Sequence, residues 1–172
     1  MNARQRRLLD TIRYTSHVAS FAEPGRQVLA VEPYAYVVDE VGLDLTSAGS
    51  QEFELIMDSD SDFVAMFAAG AAVVADPVIA SPANGNTCTE FAASILVQIT
   101  DQASGKTWYN QPTPLALIAG AGGFPYIMAA PRVIRPRGAL TVSVQGAASG
   151  VEFSAFYFAL HGGKIYYAGP TP

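Results

Sequence analysis

Three aspartates at alternate positions, Asp58, Asp60 and Asp62, have the spacing that opens a calcium-binding EF-hand loop. Such a loop also needs a glycine at its sixth position and a bidentate glutamate at its twelfth. Counted from Asp58, those positions hold Phe63 and Ala69, so the sequence excludes an EF-hand. Two interpretations stay open, which are a looser calcium site completed by another loop and a solvated turn before a buried strand.

The residues that could support catalysis are few. The chain has two histidines, His17 and His161, whereas a metal-dependent cupin needs a cluster of them. No GxSxG motif is present, and the serine nearest to His161, Ser154, falls on the same predicted strand. The single cysteine, Cys88, cannot form an internal disulfide, and no CxxC or CxxH spacing exists for structural zinc. We therefore expect no enzyme activity and no cofactor.

Two further segments have the composition of ligand-binding loops. Residues 120–123 (GAGG) lack the lysine of a phosphate-binding loop and the flanking elements of a dinucleotide fingerprint, so we interpret them as a flexible loop tip. Trp108 and Tyr109, with the aromatics at 124 and 126, could stack on a sugar. Aromatic residues beside prolines also pack loops against a domain, and both interpretations stay open.

The composition favours a single folded domain rich in strands. The chain has 172 residues, half of them apolar and only 15% charged, against about 25% in typical globular proteins. Intrinsic disorder of the whole chain is excluded by that balance. Fifteen glycines, eleven prolines, nine phenylalanines and eight tyrosines predict many turns between short strands.

Period-two alternation begins at Gln27 and recurs to the end of the sequence. The clearest example is the segment in which Leu140, Val142 and Val144 alternate with polar residues. Residues 151–160 are apolar on both faces, which predicts a central or covered strand. About eight strands without intervening helices predict an all-β fold, an antiparallel two-sheet β-sandwich of jelly-roll-like type, over residues 27–172.

Residues 1–26 differ in composition and predict an N-terminal arm. Leu8, Leu9 and Ile12 have helical spacing within Ala3 to Arg13, but such a helix is marginal in isolation. We expect an arm, extended or a short helix, that orders on binding a partner. Asp10 interrupts the apolar stretch that a signal peptide needs, and no uninterrupted apolar segment is long enough for a membrane span, so we expect neither secretion nor a membrane partner.

Charge is distributed unevenly along the chain. Residues 1–26 contain five arginines and two carboxylates, whereas residues 27–105 contain twelve carboxylates and no lysine or arginine. This asymmetry favours packing between copies or with a partner, through Arg4, Arg6, Arg7 and Arg13. The alternative is that these arginines only solvate a terminal segment. We expect no nucleic-acid partner, because no aromatic residue lies among the arginines and the rest of the first half is acidic.

Four short motifs, taken in their order along the chain, carry a resemblance. They are the acidic turn and strand start at 56–63 (IMDSDSDF), the hairpin at 95–106 (ILVQITDQASGK), the proline-and-basic turn with its strand at 131–144, and the segment 160–166 (LHGGKIY). Together they resemble the head decoration, or cement, proteins of tailed phages. The resemblance covers about residues 50–168, and residues 1–26 match none of its motifs.

The resemblance implies a non-enzymatic virion structural protein with a jelly-roll-like module. Such a protein would bind the major capsid protein and decorate or cement the phage head on the capsid surface, after synthesis in the host cytoplasm. Because capsid sites occur in symmetric sets, a dimer or trimer would gain avidity, and we expect a homo-oligomer. Two alternatives remain: a collar, head-fibre or tail-associated β-sandwich of the virion, and a sugar-binding module for host attachment.

Overall fold

A computed structural model describes residues 3–41, 50–74, 95–120, 125–146 and 153–169. The elements, in chain order, are α1 (Ala3–Ala19), β1 (Val28–Val41), β2 (Ser50–Ile56), β3 (Ser61–Val74), β4 (Ile95–Asp101), β5 (Lys106–Thr107), β6 (Thr113–Pro114), α2 (Leu115–Ile118), β7 (Tyr126–Ile134), β8 (Ala139–Gly146) and β9 (Phe153–Tyr167). Cys88 and the glycines at 122 and 123 lie outside the described residues. No helix of the described residues is long and apolar enough to cross a membrane.

The strands form two sheets that pack face to face. The first sheet has the order β1-β9-β3-β7, and the second has the order β2-β8-β4-β5, with β6 pairing to β4. All pairings between named strands are antiparallel. This order, with consecutive strands passing between the sheets, is that of a jelly roll. The predicted antiparallel β-sandwich is confirmed, and so is the central position of the strand that contains residues 153–160.

Alternating apolar residues build the core between the sheets. In β8 the buried side chains are Leu140, Val142 and Val144, whereas the residues between them are only half-buried. Phe156 and Phe158 of β9 face them from the first sheet and are also fully buried. Because every second residue of a strand points to the same face, the alternation in the sequence decides which side of each strand enters the core.

The N-terminal segment is a 17-residue helix, longer than the spacing of its apolar residues predicted. The C-terminal half of α1 packs on the outer face of the first sheet, where Val18 is fully buried against Val64 and Ile165. Burial of one valine side chain stabilises this contact by roughly 1.5–2 kcal/mol. Half of the segment therefore belongs to the folded domain and is not a detached extended arm.

A second helix lies between the strands, where the sequence predicted none. The one-turn helix α2 buries Leu115 and Ile118 at the end of the core. Pro114 precedes it, which fits the preference of proline for helix starts. A single turn contains too few residues to produce a detectable 3.6-residue period.

Candidate functional site

The arginines predicted to bind a partner lie on α1. Arg6, Arg7 and Arg13 are exposed, and none of them forms an ion pair with any residue that the structure describes. The side chain of Arg4 lies outside the described residues. With successive residues about 100° apart around a helix, Arg6 and Arg13 lie close together on one side of α1. The structure thus places unpaired positive charge along one side of the helix.

Three large apolar side chains of α1 are also exposed. Leu8, Leu9 and Ile12 have exposed fractions of 61%, 40% and 50%. Around the helix axis they occupy an arc of about 100°, which lies next to the side that carries Arg6 and Arg13. In the described part of the chain these side chains have no apolar cover comparable to that of Val18, so the N-terminal half of α1 combines an apolar stripe with a basic one.

Two glycines of β9 allow α1 to lie close to the sheet. The Tyr14 hydroxyl donates a 2.6 Å hydrogen bond to the carbonyl oxygen of Gly162, and burial raises the pKa of Tyr14. A Cβ atom at Gly163 would lie 2.9 Å from Cγ1 of Val18. The absence of a side chain at Gly163 therefore permits the close approach of the helix.

A groove separates α1 from the sheet on the N-terminal side of this contact. It has a volume of about 650 Å³ and is lined by Asp10 and Thr11 of the helix and by Ala35, Phe67 and His161 of the sheet, among others. Its lining is mainly apolar, and its polar side chains include Asp10, Thr11, Tyr14 and His161. His161, interpreted from sequence as structural, is half-buried on the floor of this groove.

An ion pair that the sequence did not predict closes one end of the sandwich. The Lys164 ammonium donates to Oδ2 of Asp58, and the Tyr36 hydroxyl donates to the same oxygen at 3.0 Å. Lys164 is only 5% exposed and its Nζ lies 3.4 Å from the centre of the Tyr34 ring. Burial alone would lower the pKa of Lys164, but the hydrogen bond to Asp58 and the nearby tyrosines raise it above its ordinary value. In turn Lys164, followed by Tyr36, lowers the pKa of Asp58.

A second polar network surrounds Asp62, which is 1% exposed. Its Oδ2 accepts hydrogen bonds from Arg135 Nη1 at 2.7 Å and from the Tyr167 hydroxyl at 2.6 Å. The Tyr167 oxygen accepts a bond from the backbone N–H of Glu23, and the Arg26 guanidinium lies 3.9 Å from the centre of the Tyr167 ring. Burial, followed by the bond to Asp62, raises the pKa of Tyr167. This network connects the segment after α1 to the sandwich.

The three aspartates of the DxDxD turn point to different partners. Asp58 pairs with Lys164, Asp62 pairs with Arg135, and Asp60 accepts a bond from the neighbouring Ser61 hydroxyl. Among the described residues no group of three or more histidine, cysteine, aspartate or glutamate side chains could hold a metal ion. Asp58 and Asp62 thus each pair with a cation from elsewhere in the domain, and Asp62 is buried in β3 and does not belong to a solvated turn.

The aromatic residues considered for sugar stacking lie in different environments. Trp108 is partly buried against the core, and the Arg132 guanidinium lies over its ring at 5.2 Å from the centre. Tyr109 is partly buried as well, and its backbone carbonyl accepts a bond from Gln98. Phe124 lies outside the described residues. Trp108 thus already contacts the core and an arginine, whereas Tyr126 is 42% exposed.

The turn before β8 contains a strained residue. Arg137 has a φ of 60°, the only positive φ among the described non-glycine residues. Its backbone N–H donates to the Asp58 carbonyl, so the conformation is required by the turn. Since side chains disfavour this region and glycine does not, Arg137→Gly is expected to stabilise the domain by about 0.5–1 kcal/mol in urea denaturation. Arg137→Ala, which keeps the strain, is the control, and equal stabilities for the two variants would contradict the expectation.

Comparison with protein-family models and with the curated proteins found no match. The sequence did not reveal the residues that pair with Asp58 and Asp62, which are Lys164, Tyr167 and Arg135, all distant from them in the chain. One signal was present in the sequence: Lys164 is a lone lysine within an otherwise apolar strand, and a lysine at a buried position requires a carboxylate partner.

Proposed function

We propose that this protein is a non-enzymatic virion component that binds the major capsid protein and decorates or cements a phage head. The observation that carries the proposal is the N-terminal half of α1, which presents unpaired arginines and exposed aliphatic side chains while its C-terminal half is fixed to a jelly roll. A surface of this kind suits attachment to another protein better than it suits turnover of a small molecule. The resemblance of four short motifs to those of head decoration proteins supports the same proposal.

The distribution of charge fits a partner with an acidic surface. Arg6, Arg7 and Arg13 are exposed and available for new ion pairs, whereas Arg135 and Lys164 already neutralise carboxylates within the domain. Arginine pairs bidentately with carboxylates, which gives orientation as well as attraction. The acidic patch that receives α1 would then lie on the capsid protein.

Co-sedimentation with capsids tests the proposal directly. The purified protein is mixed with undecorated capsids of the phage that encodes it, and the bound copies per capsid are counted from gel band densities. Saturation at hundreds of copies is the expected result, because a decoration protein occupies every equivalent site on the shell. Saturation near a dozen copies would assign the protein to the collar, head fibres or tail instead, and the absence of binding would contradict a virion attachment role.

Neutralising the exposed arginines is expected to weaken this attachment. The triple variant Arg6→Gln, Arg7→Gln, Arg13→Gln should bind capsids about 3- to 150-fold more weakly, since each exposed ion pair contributes about 0.2–1 kcal/mol. The binding of the wild type should also fall as salt concentration rises. Substitution avoids a difficulty of deleting residues 1–26, which would expose Val64 and Ile165 of the sheet.

A control variant tests whether capsid binding depends on the positive charges of α1 or only on the net charge of the protein. Lys106→Gln combined with Arg137→Gln removes two exposed cations elsewhere on the domain. This control is expected to bind capsids like the wild type. If it weakened binding as much as the triple variant does, the attachment would depend on net charge and not on α1.

A further inference from the structure

The first sheet has an apolar outer face that α1 covers only in part. Beyond His161, small and apolar residues form a shallow trough of about 260 Å³ with almost no polar lining. We call it the alanine trough, and its floor contains Val37, Ala69, Ala71, Tyr157 and Ala159. Strand pairing places Val37, Ala159 and Ala69 side by side, and the next row holds Asp39, Tyr157 and Ala71.

The trough is accessible. Val37 is 54% exposed and Tyr157 is 39% exposed, so a substantial apolar surface remains in contact with water. Exposed apolar patches of this kind mark interaction sites in soluble proteins. Its small residues also leave room for the backbone of another element to approach the sheet.

The same sheet face already binds a helix of this chain. The C-terminal half of α1 rests on it at Gly163, where the absence of a side chain lets Val18 reach the sheet. The alanine trough continues this face along β9, with Ala159 four residues before Gly163. The surface is thus suited to helix packing in both places, but the described residues occupy only one of them.

The N-terminal half of α1 has the complementary chemistry. Leu8, Leu9 and Ile12 form an exposed apolar stripe that the described residues leave uncovered. Arg6 and Arg13 flank that stripe on the side of Leu9, and the charged residue in the rows of the trough is the exposed Asp39. An aliphatic stripe bordered by arginine therefore matches an apolar trough bordered by aspartate. Within one copy the stripe does not meet the trough, because Asp10, Thr11 and Tyr14 are the α1 residues that face the sheet.

We propose that two copies of this chain pair about a twofold axis, with the Leu8, Leu9 and Ile12 stripe of each α1 packed in the alanine trough of the other copy. Both surfaces lie on the same side of the domain, so a single rotation brings each stripe to a trough and closes the assembly. Arg13 of each copy then lies near Asp39 of the other. The pairing buries the aliphatic stripe, which leaves the exposed Arg6 and Arg7 for the capsid contact.

Sedimentation equilibrium of the purified full chain, without capsids, tests the pairing. The wild type is expected to be a concentration-dependent dimer. Leu8→Glu and Val37→Arg are each expected to weaken dimerisation at least about tenfold, because each places a charge in the apolar contact. Both positions are more than half exposed, so the β-sandwich should keep its circular dichroism spectrum.

Ile56→Glu is the matched control. Ile56 is 61% exposed, as Leu8 is, but it lies on β2 of the second sheet. This variant should dimerise like the wild type. An equal loss of dimer in Ile56→Glu and Leu8→Glu would show a general effect of added charge and would overturn the proposal.

Mixing the two contact variants tests whether α1 of one copy binds the alanine trough of the other copy. Leu8→Glu retains a normal trough and Val37→Arg retains a normal helix, so a mixture contains one intact contact per heterodimer. The mixture is expected to form more dimer than either variant alone, a result that helix-to-helix or sheet-to-sheet pairing would not give. A monomeric wild type would overturn the proposal, and if such a monomer lost capsid binding in Leu8→Glu, the stripe would belong to the capsid contact.

Discussion

Gly162→Ala is expected to destabilise the domain by about 3 kcal/mol or more. A Cβ atom built at Gly162 would lie 1.8 Å from the carbonyl oxygen and 2.8 Å from the carbonyl carbon of Val64. These are backbone atoms of the neighbouring strand, so no side-chain rotation can relieve the overlap. The two strands must separate where β3 carries the register shift between Ala65 and Phe67. Urea denaturation of the purified variant measures the loss.

The neighbouring glycine gives the matched comparison. A Cβ atom at Gly163 would lie 2.9 and 3.2 Å from the two Cγ atoms of Val18, which belong to a side chain of α1. Gly163→Ala should therefore displace the helix and leave the strand pairing intact, at a smaller loss of about 1–2 kcal/mol. A Gly162→Ala variant as stable as Gly163→Ala would mean that the strands can move apart at little cost, contrary to the expectation.

Asp58→Asn is expected to lower the free energy of unfolding by about 2 kcal/mol. The substitution removes the counter-charge of Lys164, which stays almost completely buried beside Tyr34. Loss of one partner of a fully buried pair costs about 3–5 kcal/mol, and the half-exposed position of Asp58 reduces that figure. Thermal and urea denaturation at pH 7 measure the difference from the wild type.

Two further measurements separate the ion pair from other roles of Asp58. Adding Lys164→Met to Asp58→Asn should restore much of the stability, because the unpaired charge is then absent. The pKa of Asp58 is lowered in the folded protein, so its contribution is complete above its ordinary value of 3.8 and is lost as the pH falls through the folded value. The difference between Asp58→Asn and wild type should therefore be full at pH 7 and shrink at more acidic pH. A difference that did not change with pH would refute a charge-based role.

The strands could be predicted because their pattern is local. Leu140, Val142 and Val144 alternate with polar residues on a face that meets solvent, and this alternation needs no knowledge of the rest of the chain. The apolar character of β9 on both faces also indicated its central place between β1 and β3. Local periodicity likewise indicated a helix near Leu8 and Ile12, although it underestimated the length.

The candidate site could not be predicted in the same way, because its contacts join residues that are far apart in the sequence. Local patterns contain no information about such contacts. Tyr14 contacts Gly162 across 148 positions and Lys164 contacts Asp58 across 106. In the sequence, a glycine pair such as 162–163 looks like a turn. Only the position of β9 beneath α1 shows that the two glycines allow the helix to pack on the sheet. The aspartates of the DxDxD turn suggested a metal for the same reason, since their cationic partners are distant in the chain.

The central position of β9 has a consequence for biosynthesis. β1 and β3 both hydrogen-bond to β9 and not to each other, yet the ribosome makes them long before it makes residues 153–167. Until then β3, most of whose side chains from Phe63 to Ala69 are buried in the folded domain, lacks β9 as its pairing partner. β1 can therefore join the first sheet only after translation of β9, although β3 can pair with β7 before then. A nascent chain that exposes apolar strand surface during this time is expected to bind chaperones that hold unfolded polypeptide.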